Sequence, residues 1–252
     1  MTLALSDYPS IGLASWGRKR GRPMRHARAA LVRDLLPVFS IDIVEEANGA
    51  VRQLDLAQIF GDEVKEIWLE VGFGSGENLV ACAEHNPQVG IIGCDPFFEG
   101  VGKLISRINT TKLENIRIYP GDARDLLRAL PPSCLSKLFA LFPDPWPKKR
   151  HHKRRLFQAS FLGSIADSLQ DDGEVIFSTD HAEYARWVLG LFLESPYFAW
   201  EVRSADDWLQ HPKDVASTRY ELKALRAGRR GLFLRFRRKG SVLSSGGESC
   251  LG

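Results

Sequence analysis

Glu66-Ile67-Trp68-Leu69-Glu70-Val71-Gly72-Phe73-Gly74-Ser75-Gly76 is the stretch from which the fold can be read. An apolar run of strand length ends in a glycine-rich turn, and a helical pattern follows to about His85. Glycines there let the backbone turn tightly, pass close to a ligand and present amides at a helix start. Working outward, the alternation repeats. Val89–Cys94 reads as a second strand with a helix over Phe97–Ile108, and Asn115–Tyr119 as a third with a helix over Ala123–Leu130. Lys137–Phe142 reads as a fourth strand, after which Pro143, Pro145 and Pro147 force an irregular loop. Leu156, Phe157, Phe161, Leu162 and Ile165 then fall at helical spacing and predict one long amphipathic helix over Arg155–Leu169. Asp172-Gly173 turns into a fifth strand, Glu174–Ser178, followed by a helix around Ala182–Phe192 and late strands at Phe198–Arg203 and Leu232–Arg237. Strand–helix alternation of this kind predicts a doubly wound α/β fold built on a largely parallel sheet.

The 252 residues suffice for one sizeable domain, and 44% apolar with 26% charged residues is ordinary globular composition. No apolar run reaches membrane-spanning length and no secretory signal opens the chain, so a soluble cytoplasmic protein is expected. Cys82, Cys94, Cys134 and Cys250 form no C-x-x-C pair, which gives no indication of a metal or disulfide framework. The Arg-rich, acid-poor residues 1–33 also suit an organellar transit peptide, but Pro9, Gly12, Gly17 and Pro23 interrupt any amphipathic helix there. Residues 1–26 are expected to be a basic, mobile arm, 27–239 the folded domain, and the Gly/Ser-rich residues 240–252 a disordered tail.

Net charge is only +3, yet its distribution is uneven. Residues 18–33, 148–155 and 219–239 hold 22 of the 34 Lys and Arg, leaving 12 basic against 30 acidic residues elsewhere. One charge run is usually a solvated surface. Three runs on an otherwise acidic chain predict a footprint for nucleic acid, provided they converge on one face.

Ligands in such sheets bind at the carboxyl ends of the strands. Glu70 and Gly72 stand there after the first strand, Asp95 after the second and Asp122 after the third. A dinucleotide fingerprint needs glycine where Glu77 stands, and a carboxylate at Glu70 suits a cationic ligand better than a pyrophosphate. S-adenosylmethionine carries an ammonium and a sulfonium but no phosphate. Asp95 can accept both hydroxyl protons of a ribose, while Asp122 can either meet the adenine edge or cap the following helix. Past the fourth strand, the prolines hold Asp144 at low entropic cost. Trp146 stacks on a base or covers the core, and the basic run after it opens a helix, against the macrodipole, so that its side chains reach phosphates.

The segment Phe142-Pro143-Asp144-Pro145-Trp146-Pro147-Lys148-Lys149-Arg150 closely resembles the signature of the bacterial tRNA (guanine-N7-)-methyltransferases, the TrmB type. The resemblance runs from Arg18 to Arg238 and includes the glycine loop, Gly93-Cys94-Asp95-Pro96-Phe97, Ser178-Thr179-Asp180 and Thr218-Arg219-Tyr220-Glu221. It implies a Rossmann-like methyltransferase fold, a mostly parallel seven-stranded sheet with an antiparallel late strand. It implies methyl transfer from S-adenosylmethionine to guanine N7 at variable-loop position 46 of tRNA, with no metal and no obligatory protein partner. Asp144 is then catalytic and, with Glu70, Gly72, Asp95 and Asp122, donor-binding. Lys148, Asp180, Thr218, Arg219, Tyr220 and Glu221 are then substrate-binding. Two positions depart from the family's usual pattern: Thr-Arg-Tyr-Glu replaces Thr-Lys-Phe-Glu, and Asp95 replaces a common Glu. Other classes remain in view: an amino-methyltransferase of the Asp-Pro-Pro-Tyr type, whose double proline is missing here, a non-catalytic RNA-binding module, and an NAD enzyme.

Overall fold

A computed structural model describes residues 24–240. The putting-together of the chain follows its strands. Seven of them form one sheet in the order β3-β2-β1-β4-β5-β7-β6: β1 Glu66–Val71, β2 Val89–Cys94, β3 Ile116–Tyr119, β4 Leu135–Leu141, β5 Leu169–Thr179, β6 Phe198–Trp200 and β7 Leu232–Arg238. The first five run parallel; β7 lies antiparallel between β5 and β6. Growth of the sheet reverses between β1 and β4, which opens a crevice at their carboxyl ends.

Period-two alternation divides the core into two layers. Leu69, Leu138 and Phe177 face α5 (Ala123–Ala129), α6 (Ala159–Ser168) and α7 (Ala182–Glu194). Trp68, Phe139 and Ile176 face α1 (His26–Phe39), α3 (Glu77–His85) and α4 (Phe98–Thr111). The short helices α2 (Leu56–Phe60), α8 (Asp206–Leu209) and α9 (Arg219–Arg226) complete the described elements, with a 3-10 turn over Lys149–Arg154.

Several sequence expectations need correction. The helix over Arg155–Leu169 begins only at Ala159; Arg155 and Gln158 are extended, and Leu169 already belongs to β5. The basic run therefore forms its own 3-10 turn, and the expected conflict with the α6 dipole does not arise. The fifth strand starts before Asp172, whose φ of +63° marks an irregularity where pairing with β4 jumps from Leu135↔Leu169 to Lys137↔Glu174. The sixth strand ends at Trp200 rather than Arg203. Helix α1 was not expected: it starts inside the supposed arm at His26, lacks a side-chain cap and carries Pro37. Residues 1–23 and 241–252, and with them most of the arm and the tail, lie outside the described residues.

Two glycines in α4 set how its neighbours sit. A Cβ on Gly100 would stand 2.3 Å from the Gly74 carbonyl oxygen, so the helix start lies directly on the glycine loop. A Cβ on Gly102 would meet Met24 and Arg28, which lets α1 approach α4 closely.

Candidate active site

The glycine loop after β1 takes up left-handed backbone at Gly72, Gly74 and Gly76. Gly72 is bonded through its amide to the Cys94 carbonyl at 2.7 Å, and a Cβ there would meet nothing within 4 Å. The loop is fastened from β2. Asp95 accepts the Gly74 amide at 2.9 Å on one carboxylate oxygen and the Phe97 amide at 2.8 Å on the other. Each oxygen keeps a further lone pair for a ligand hydroxyl. Burial nonetheless pushes Asp95 up to about 6, against the pull of those two amides and of Arg219.

Glu70 lies behind the loop, 2% exposed, accepting from Asn78 Nδ2 at 3.1 Å. Burial raises it to about 8, with Glu77 and Asp95 adding repulsion against the Asn78 bond. Asn78 turns its carbonyl oxygen to the Ala216 amide at 2.9 Å, so one α3 residue joins Glu70 to the segment ahead of α9. Asp122 caps α5 through the Arg124 amide at 2.9 Å and also pairs with the Arg124 guanidinium at 2.7 Å, while still lining the crevice. Capping and ligand-facing positions coincide there.

The crevice is a cavity of about 770 Å³, bordered among others by Gly72, Asp95, Asp122, Asp144, Asp180 and Tyr220. Its outer wall is the loop after β4. Phe142 and Trp146 both have positive φ, at +51° and +43°, bracketing Pro143-Asp144-Pro145. Non-glycine residues hold such conformations only where their surroundings impose them. Phe142 is held by its amide on the Ser178 carbonyl at 2.9 Å, and Arg155 braces the loop beyond it. The Arg155 side chain is fully buried, donates from Nε to the Pro145 carbonyl at 3.0 Å, and forks onto Glu183 at 3.2 and 2.5 Å. Its guanidinium also lies 5.0 Å from the Tyr184 ring centre and 4.9 Å from that of Trp187. Asp144 is thereby presented, exposed, at the cavity mouth. Trp146 lines the cavity and stands outside both core layers, with Arg154 5.0 Å over its ring.

From the far side comes α9. Thr218 caps it through the Glu221 amide at 3.2 Å. Tyr220 covers Gly74, its ring carbon 3.1 Å from where a Cβ would be, and its hydroxyl accepts from Arg219 Nη2 at 2.8 Å. Glu221 turns inward, 6% exposed, and meets His211 Nδ1 at 2.8 Å. Asp180 pairs with Arg229 at 2.7 Å across the mouth. Lys148 is exposed and does not border the cavity. Thus Gly72, Asp95, Asp122, Asp144, Asp180 and Tyr220 come together, while Glu70, Thr218 and Glu221 stand behind as supports.

Two of the three basic runs reach the cavity, and the described residues of the first do not border it. Lys153, Arg154, Lys223 and Arg229 border the cavity. Arg155 is withdrawn into the clamp, and Arg235 and Arg237 are withdrawn into a network with Glu174, Asp214 and Glu201 on the sheet. The second and third runs therefore offer fewer cations to a polyanion than their composition promised.

Residues 64–234 match a family model described as "Putative methyltransferase". A tRNA (guanine-N(7)-)-methyltransferase of Rhodospirillum rubrum is 42% identical over 235 residues, spanning 93% of this chain and 91% of the relative. The chain belongs to the tRNA (guanine-N(7)-)-methyltransferase family. A second family member, from Hyphomonas neptunium, is 42% identical over 213 residues, spanning 84% of this chain and 94% of its own. The solved structure of the 16S rRNA methyltransferase KamB superimposes with a TM-score of 0.53 at 15% identity, covering 75% of this chain and 96% of that one, a likeness of fold. For this member of the tRNA (guanine-N(7)-)-methyltransferase family, sequence reasoning missed Asn78, Arg155 and Arg229. The partners of the latter two lie 28 and 49 residues away, which no local pattern reveals.

Proposed function

We propose that this chain transfers the methyl group of S-adenosylmethionine to N7 of guanine at variable-loop position 46 of tRNA. The observation that carries the reading is the cavity itself. It joins an acidic floor, where Asp95 keeps free lone pairs and Gly72 faces open space, to a mouth bordered by Lys153, Arg154 and Arg229. A cationic, hydroxylated, phosphate-free donor fits the floor, and a polyanion fits the mouth. Identity of 42% to tRNA (guanine-N(7)-)-methyltransferases over most of the chain supports the same assignment.

When bound, S-adenosylmethionine supplies an electrophilic methyl group on a positively charged sulfur. Asp95 is suited to hold ribose hydroxyls, Asp122 the adenine edge, and Glu70 with the glycine loop the amino-acid end. Guanine N7 has an in-plane lone pair and no proton, so no general base is needed at the reacting atom. The base becomes cationic as it is methylated. Asp144, fixed at the mouth by the Arg155 clamp, supplies a preorganised negative charge where that cation develops. Tyr220 covers the glycine loop, Arg219 holds the Tyr220 hydroxyl and Asp180 holds Arg229, with Lys148 further out toward RNA. Thr218 and Glu221 act by fixing α9. In A-form RNA the edge carrying N7 lies in a deep, narrow groove, which favours a loop guanine over a paired one. Incubation with labelled donor and an unmodified tRNA transcript, followed by nucleoside analysis, tests the reading: label in 7-methylguanosine is expected, and label in any other nucleoside refutes it.

A further inference from the structure

A second depression, about 640 Å³, lies outside the cavity just described, between α1, α3 and α4. Its wall on α4 is a polar stripe at helical spacing: Lys103, Ser106, Arg107, Thr110 and Thr111. Opposite, α1 contributes Arg28, seated by the close approach over Gly102, and the start of α9 contributes Arg219, while α3 adds Glu77, Val80, Ala81 and Glu84, so that two carboxylates stand among four cations. These four cations come from three segments far apart in sequence: Arg28 and Arg219 belong to the first and third basic runs, and Lys103 and Arg107, one turn apart on α4, belong to none.

We propose that this groove is a second binding site, taking the ribose–phosphate backbone of the substrate RNA beside the reacting nucleotide. The proposal rests on the tRNA reading above and adds a site to it. Lys103 and Arg107 are paired with Glu99 at 2.9 Å and Glu77 at 3.3 Å. Partly exposed pairs of this kind are weak in water, so either cation can exchange its carboxylate for a phosphate. Arg219 bonds the Tyr220 hydroxyl through Nη2, while its buried Nε has no acceptor.

The hydroxyls sharpen the choice of ligand. Ser106 donates to the Gly102 carbonyl at 2.9 Å, Thr110 to Ser106 at 3.0 Å and Thr111 to Arg107 at 3.0 Å. With their protons committed to the helix, they offer lone pairs only, which suit a ribose 2′-hydroxyl donor and not a bare phosphate. Cations beside acceptor-only hydroxyls match a sugar–phosphate backbone. Arg219 and Tyr220 are neighbours that face the two depressions separately, so a strand leaving the mouth passes directly into the groove.

The test is fluorescence anisotropy of a labelled, unmodified tRNA transcript with the full chain, across 50–200 mM salt. A Lys103→Gln/Arg107→Gln variant is expected to bind about tenfold more weakly at the middle of that range. The slope of log affinity against log salt should become shallower by about one to two, roughly one per lost phosphate contact. Arg28→Gln, on a different helix, should give about half that change. Lys65→Gln, at the opposite ends of the strands, should match wild type. Wild-type affinity and slope in both groove variants would overturn the site while leaving the tRNA reading intact. Failure of the wild-type chain to bind tRNA at all would overturn both.

Discussion

Replacing Arg155 by methionine keeps much of the buried stem but removes the guanidinium that fixes the Asp144 loop. The stability cost follows from its contacts. The charge-assisted bond to the Pro145 carbonyl at 3.0 Å contributes about 1.5–3 kcal/mol. The pair with Glu183 adds about 0–1 kcal/mol, because that carboxylate is 44% exposed and screened. Stacking on Tyr184 and Trp187 adds about 0.5–2 kcal/mol, part of which the thioether retains. A net loss of about 2–4 kcal/mol is expected in urea unfolding. The functional effect is separate. Without the bond to Pro145, the loop between Phe142 and Trp146 loses its brace, and Asp144 should be displaced from its place at the mouth. A misplacement of about 1 Å costs on the order of 10²-fold in rate. Glu183→Gln keeps the Pro145 bond and should lose under about 1 kcal/mol with near-normal turnover. Single-turnover methylation with saturating tRNA and donor reads the difference. An Arg155→Met enzyme that is less stable yet methylates at the wild-type rate would show that the clamp holds the fold and not the site.

Asp144→Asn preserves shape and removes charge, so single-turnover rates should fall about 10²–10³-fold with tRNA affinity nearly unchanged; near-normal rates would remove its electrostatic role. Gly100→Ala drives a Cβ to 2.3 Å from the Gly74 carbonyl and should weaken donor binding tenfold or more by calorimetry. Gly190→Ala, in open space on α7, should instead gain up to about 1 kcal/mol in thermal unfolding. Glu70, raised to about 8 by burial behind the glycine loop, is largely protonated at pH 7 before the donor binds. A cationic donor beside it favours the carboxylate, so binding should release up to one proton at pH 7. Affinity should then rise with pH and level off above about 8, by at most about tenfold per unit. Calorimetry in buffers of different ionisation enthalpy that shows no proton release would place Glu70 away from the donor's charge.

The parallel half of the fold was legible because its strands are apolar on both faces and end at glycine or proline. Glu66–Val71 and Val89–Cys94 were read with the bounds the structure gives. What escaped depends on distant partners. Leu156 and Phe157 continue the helical spacing of α6, but Arg155 just ahead of them is drawn to Pro145 and Glu183, and the chain stays extended until Gln158. Helix α1 hid because its inward residues Val32 and Leu36 stand among arginines and alanines without a capping signal. The acids behind the strands were legible as a group; their division into cavity-lining Asp95 and Asp122 and buried Glu70 was not. That division depends on Asn78, a buried polar residue of α3 whose bonds to Glu70 and Ala216 no local pattern announces.

Because β7 inserts between β5 and the edge strand, residues 201–231 leave and re-enter the sheet at neighbouring points, with Trp200 opposite Phe236 and the Glu201 amide on the Arg235 carbonyl at 2.9 Å. The segment carrying α8 and α9 is thus a closed excursion whose base is sealed by the sheet. Lengthening such a loop is inexpensive, about 0.6 kcal/mol for each doubling. Its far end is located by a few independent ties, Ala216 to Asn78, Tyr220 over Gly74 and Arg229 to Asp180. Insertions or deletions between those ties leave the strand register untouched, so the wall that borders the cavity mouth can change length without asking the sheet to refold.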